Sequence, residues 1–154
     1  TIKDIARLAD VFYIGGTKQG ALFGEAVVIT NDSLKKDFRY FIKQNGGMLA
    51  KGRLLGIQFL CSFEDGLYFS LSEHAVSQAH KLRAALKAKG YAFLVESPGN
   101  QQFPILGNEL VKALSSEFGF SVWKKVDESH TAVRFCTSWA TTPDAVDKLI
   151  EALP

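Results

Sequence analysis

Apolar and polar positions along the first thirty residues predict a short amphipathic helix followed by two strands. DIARLAD (4–10) has helical spacing of its apolar residues. VFYIGG (11–16) reads as a short buried strand ending at paired glycines, where the chain turns. GEAVVITND (24–32) is β-branched and apolar and is closed by Asn31-Asp32, a second strand. Asp32 or Ser33 is then placed to cap a helix through Gln44, with Phe38, Phe41 and Ile42 on its apolar face. Asn45-Gly46-Gly47 breaks that helix. Another follows, and its Met48, Leu49, Leu54, Leu55, Ile57, Phe59 and Leu60 read as largely buried. Glu64-Asp65-Gly66 is a turn.

The second half alternates helices with paired strands, the pattern of an α+β layer. Ser72 to Lys89 is a polar helix ended by Gly90 at the C′ position, with basic residues in its last turns. Tyr91 to Glu96 and Gln102 to Leu106 read as strands on either side of a Pro98-Gly99 loop. Asn108 is expected to cap a helix running to Phe118. Phe120 to Val126 and Thr131 to Thr137 are two more strands. Thr142 and Pro143 open a last helix to Leu153.

Composition adds limits. A chain of 154 residues with 47% hydrophobic and 22% charged content is globular. A net charge of +2 is too small to argue for nucleic acid. No apolar run approaches the ~20 residues that span a bilayer, and no secretory leader is visible. Cys61 and Cys136 lie in apolar segments and read as reduced core residues of a cytoplasmic protein. Thr1 is not a methionine, and only part of a strand-helix unit precedes Lys18. The sequence therefore reads as the C-terminal portion of a longer chain.

Lys18 is the residue with candidate chemistry. It sits among Gly15, Gly16, Thr17, Gln19 and Gly20, between two apolar runs. A phosphate-loop lysine needs G-x-x-x-x-G-K-[ST], and the order here does not fit. Two readings remain: a solvated lysine on a surface turn, or a nucleophilic amine on a turn lean enough to admit a flat cofactor. In HTAVRFCT (130–137), strand alternation puts Ala132, Arg134 and Cys136 on one face. An arginine there suits bidentate carboxylate binding or a structural pair with a glutamate.

His74 and His80 are six apart, not the three or four of a helical metal pair. Asp65, Asp127, Glu128 and His130 read as turn residues. Trp139 either lines a cleft or is buried against the last helix. Neither cysteine has a histidine at a spacing that suggests nucleophilic chemistry.

The segments GGTKQGALFGEAVVI (15–29), IKQNGGMLAKGRLLGIQF (42–59) and VRFCTSWATTPDAVDKLI (133–150) resemble the low-specificity L-threonine aldolases and related β-eliminating lyases. These are fold-type-I pyridoxal-phosphate enzymes. The likeness spans nearly the whole chain, and the lysine segment and RFCTSWATT are its specific parts. It implies the end of an aspartate-aminotransferase-like α/β large domain in residues 1–50 and a small C-terminal α+β domain in residues 51–154. It implies pyridoxal 5′-phosphate as cofactor, held covalently by Lys18, with Thr17 near its phosphate. Arg134 matches the arginine that grips the substrate α-carboxylate. Lys43 matches a lysine that reaches a neighbouring subunit's site in a homo-oligomeric dimer or tetramer.

The reaction implied is cleavage of threonine or allo-threonine to glycine and acetaldehyde. Two alternatives stand beside it: β-elimination from an amino acid, and a non-catalytic interaction domain. Leu49 stands where the family often carries an arginine near the phosphate, and Lys51 and Arg53 are candidates to replace it. The stacking aromatic ring, the aspartate for the pyridine nitrogen and most of the phosphate cup are expected upstream. This chain alone is expected to be inactive, without a well-bound cofactor.

Overall fold

The two β-branched runs flanking the glycine turn pair with each other. In the computed structural model, which describes residues 1–154, β1 (Val11–Gly15) and β2 (Glu25–Ile29) are antiparallel, with Val11 opposite Ile29 and Gly15 opposite Glu25. A short helix, α1 (Ile2–Leu8), precedes β1. The helix expected from Asp32 or Ser33 is split in two. Asn31 is its cap instead: Oδ1 accepts from the Ser33 N–H at 3.0 Å. The resulting 3-10 turn, Asp32–Leu34, stops. Asp37, with φ 57° in the left-handed region, then sets a new start for α2 (Phe38–Gln44). Gly46, at φ 76°, ends α2 as expected.

The helix α3 (Arg53–Phe63) forms, but the expected burial of its apolar residues does not hold. Leu54 is 56% exposed and Leu60 is 70% exposed, and Ile57 and Leu49 are exposed too. Leu55 and Phe59 are half-buried. The reason is geometric. One flank, carrying Leu55, Gln58 and Phe59 at helical spacing, lies against the turn between β1 and β2. The opposite flank faces away from it. Cys61 shares that outer flank with Leu54 and Ile57, so it is an exposed free thiol and not a core residue.

Two compact units result, Thr1–Tyr68 and Phe69–Pro154. The sequence places the boundary after residue 50. In the structure, Gln58 and Tyr68 reach back to the lysine turn and keep α3 with the strands.

The second unit begins within α4 (Leu67–Ala88), a helix that starts earlier than the expected Ser72. It ends as expected at Gly90, where φ is 85° and the Tyr91 N–H donates to the Leu86 carbonyl at 3.0 Å. The centre of the sheet is β6 (His130–Cys136), with β5 (Ser121–Lys125) on one side. On the other side, β3 (Gln101–Gln102) and β4 (Ile105–Gly107) share one register, interrupted at Phe103-Pro104. Pro104 accepts from the Val133 N–H at 3.0 Å but has no N–H to return.

The strand expected over Tyr91–Glu96 reduces to a single bridge, Phe93 to Pro104. Past it the backbone is drawn toward α4: Arg83 donates to the Ser97 carbonyl at 2.7 Å, and Lys87 pairs with Glu96 at 2.7 Å.

Helix α5 (Asn108–Leu114) starts at a Gly107 cap and stops short of Phe118. Asn108 does not cap it. Its side chain donates to the Glu128 carbonyl and accepts from Thr131 Oγ1, both at 2.8 Å, which pins the helix start to the β5–β6 hairpin. Helix α6 (Pro143–Glu151) is capped by Thr142, whose Oγ1 accepts from the Ala145 N–H at 3.2 Å.

Leu82, Leu86, Leu106, Leu114, Val133, Phe135, Val146, Leu149 and Leu153 form one buried core. Val133 and Phe135 alternate out of β6 toward the helices, which leaves Ala132, Arg134 and Cys136 on the other face. Cys136 is exposed there as a second free thiol. No helix is long and apolar enough to cross a membrane.

Candidate functional site

The turn between β1 and β2 is built around Gly16. Its carbonyl accepts from the Gln19 N–H at 3.0 Å and the Ala21 N–H at 2.9 Å, closing a 3-10 turn over Thr17–Gln19. Gly20, at φ 95°, releases the chain from it. Two of its glycines have no room for a side chain. A Cβ on Gly16 would stand 2.7 Å from the Ala21 Cβ and 3.1 Å from the Phe59 ring. A Cβ on Gly24, at φ 90°, would run into the Leu55 side chain.

Two polar contacts anchor this turn. The Leu22 N–H donates to Gln58 Oε1 at 2.6 Å. The Tyr68 hydroxyl donates to the Gly15 carbonyl at 2.9 Å, and burial pushes its phenol above the ordinary value, so it remains a donor. Sequence reasoning missed both residues. The available signals were a glutamine inside an apolar helix and a tyrosine at a helix start. On this scaffold Thr17 and Lys18 are both exposed. The lysine is therefore accessible, and the desolvation expected of a nucleophilic amine is not supplied by this unit.

Lys43 is exposed on α2 and lines a shallow groove with Arg39, Tyr40 and Met48. Lys51 and Arg53 line an open cavity at the start of α3 with Ala50, Gly52, Leu54 and Ile57. The structure thus brings Thr17 and Lys18 together on one turn. It places Lys43 on a separate helix of the same unit, and Arg134 in the second unit.

Arg134 stands on the face of β6 opposite Val133 and Phe135. Its Nη2 donates to Ser121 Oγ at 3.2 Å, and its Cζ lies 5.2 Å from the centre of the Trp123 ring. Its Nε is buried without a partner. No ion pair of the chain includes Arg134, so the structural pair with a glutamate is not found.

The histidines have structural partners. His74 Nε2 meets the Thr141 carbonyl and His80 Nε2 the Pro98 carbonyl, each at 2.8 Å. No group of three His, Cys, Asp or Glu side chains could hold a metal ion. Asp127 is a turn carboxylate held down to a pKa of about 2, mainly by the Ser129 backbone N–H and also by His130. Trp139 is 47% exposed, so it is not buried against α6.

No family model matches the chain. It is 30% identical over 142 residues to the low specificity L-threonine aldolase of Pseudomonas aeruginosa, covering 91% of this chain and 40% of that protein. It is also 30% identical over 146 residues to the low specificity L-threonine aldolase of a Pseudomonas species, with the same coverage of 91% and 40%. Among solved structures, a threonine aldolase of Leishmania major superposes with a TM-score of 0.94 at 44% identity, over 99% of this chain and 45% of that one. The chain spans about two-fifths of the length of the curated relatives it matches. By sequence and by fold, the chain is similar over nearly its whole length to low-specificity L-threonine aldolases and matches less than half of each of them.

Proposed function

We propose that this chain is the C-terminal part of a pyridoxal-phosphate-dependent lyase that cleaves the Cα–Cβ bond of a β-hydroxy-α-amino acid such as threonine or allo-threonine. The products are glycine and an aldehyde. The observation that carries this reading is the match to the Leishmania major threonine aldolase over 99% of the chain at 44% identity. The residues present fit the cofactor. Lys18 offers an accessible primary amine on an exposed glycine-flanked turn. When bound, pyridoxal phosphate supplies the electron sink that lets the Cα–Cβ bond break.

The chain's own residues would then divide the work. Lys18 Nζ would be the covalent attachment point, and the adjacent Thr17 hydroxyl would lie near the phosphate. Arg134 binds the substrate α-carboxylate with its guanidinium fork. Lys43 serves the site of a neighbouring subunit in a homo-oligomer. Residues 1–68, which include α3, would belong with the large domain and 69–154 would form the small one. The rest of the enzyme, a cytoplasmic protein, would cover the apolar flank of α3 and desolvate the lysine turn.

The test uses the complete enzyme carrying this chain. It is loaded with pyridoxal phosphate, reduced with borohydride, digested and read by mass spectrometry. A pyridoxyl group on Lys18, together with glycine and acetaldehyde from threonine, is expected. A folded protein without the label at Lys18 refutes the reading. Pyruvate and ammonia in place of glycine would reassign the reaction to β-elimination.

A further inference from the structure

We propose that Trp123 and Ser121 are positioning residues that hold the Arg134 guanidinium ready for a carboxylate. This rests on the reading of Arg134 as the carboxylate grip. The strand register carries the argument. Ser121 lies opposite Arg134 and Val122 opposite Val133, but the next pair is Lys124 with Ala132. Trp123 is the extra residue of a β-bulge, a feature that re-aims side chains beside binding sites. Its indole lies 5.2 Å from the Arg134 Cζ, within cation–π distance. Phe103 braces the same indole edge-on, with ring centres 5.2 Å apart at 62°. Ser121 Oγ accepts from Nη2 at 3.2 Å.

These contacts fix a long side chain that would otherwise sample many rotamers. The indole lies over the guanidinium carbon and Ser121 accepts from Nη2, while Nη1 donates to no acceptor in the chain. The Nε N–H is buried with no partner in the chain. Trp123 itself remains 51% exposed, more than a core packing role requires.

The experiment compares Trp123→Leu, Trp123→Phe, Ser121→Ala and Arg134→Gln in the complete enzyme. Steady-state kinetics with threonine are measured alongside inhibition by glycine and by methylamine, which lacks the carboxylate. Loss of the stack is expected to raise KM about tenfold with kcat within about twofold. Trp123→Leu should weaken glycine by a similar factor and leave methylamine unchanged, while Trp123→Phe restores most of the affinity. Ser121→Ala removes only a hydroxyl and should shift KM in the same direction. It keeps the test available if the leucine variant does not fold. Unchanged KM in the Trp123 and Ser121 variants, with a raised KM in Arg134→Gln, overturns this inference alone. Unchanged KM in Arg134→Gln overturns the carboxylate role of Arg134 and this inference with it.

Discussion

Replacing Gly24 with alanine tests how the lysine turn is held. Gly24 sits at φ 90°, and a Cβ there would run into the Leu55 side chain of α3. Putting an L-residue in the left-handed region costs about 1–2 kcal/mol. Pushing Leu55 aside adds about 1 kcal/mol, the low end of overpacking because its side chain is only half-buried. The smaller entropy of the unfolded alanine chain returns ~0.4–1 kcal/mol. The net is a destabilisation of about 2 kcal/mol, which is roughly a thirtyfold change in a local opening equilibrium.

The natural reporter is the Leu22 amide, bonded to Gln58 Oε1 across the same contact. Its hydrogen exchange should accelerate about thirtyfold in Gly24→Ala. Adding Leu55→Ala removes the clash and leaves only the backbone cost, so the double variant should be less destabilised than the sum, by about 1 kcal/mol. Strict additivity would show that the Leu55 contact is not the cause. Unchanged Leu22 exchange in Gly24→Ala would show that the turn does not need a glycine there.

Three further outcomes follow from the same structure. Leu86→Ala removes a 0% exposed side chain from the core of the second unit, and chemical denaturation should report a loss of about 3 kcal/mol. A loss below ~1 kcal/mol would mean that the core is not as packed as described. Asp127, held near a pKa of about 2 against an ordinary 3.8, binds its proton more weakly folded than unfolded. Its stabilising contribution is therefore complete above about pH 4 and is lost as pH falls toward 2. Melting temperatures of the native protein and Asp127→Ala should converge across that range, and a constant difference would refute the charge argument. Finally, Cys61 and Cys136 should both react with a thiol reagent in the folded 154-residue chain without denaturant; protection of either would contradict their exposure.

The elements that local chemistry dictates were legible in the sequence. The β-branched runs at 11–15 and 25–29, the Gly90 stop and the Thr142-Pro143 helix start all stand where the residue types place them. Elements that depend on competition for backbone groups were not. Asn31 captured the cap expected of Asp32 or Ser33, and Asn108 turned its side chain to the β5–β6 hairpin and left capping to Gly107. Pro104 broke one expected strand, and the other, Tyr91–Glu96, pairs only through the Phe93–Pro104 bridge. At the candidate site the glycine pattern announced Lys18, but nothing in the spacing announced Gln58 or Tyr68. Their partners lie far away in sequence, and only the docking of α3 brings them to the turn.

The errors about burial have a common cause. Periodicity identifies a face that is apolar; it does not identify what covers that face. Leu54, Ile57 and Leu60 carry the pattern of buried residues and are exposed, and Cys61 and Cys136 follow them. The shape of the lysine turn is set inside the first unit by Gly16, Gly24, Gln58 and Tyr68, through contacts among residues of that unit alone. The desolvation that the proposed chemistry requires of Lys18 is not. Geometry and reactivity are therefore separable here. Altering Gly24 or Gln58 should disturb where the amine stands, whereas making the amine a competent attachment point depends on covering surface that these residues do not provide.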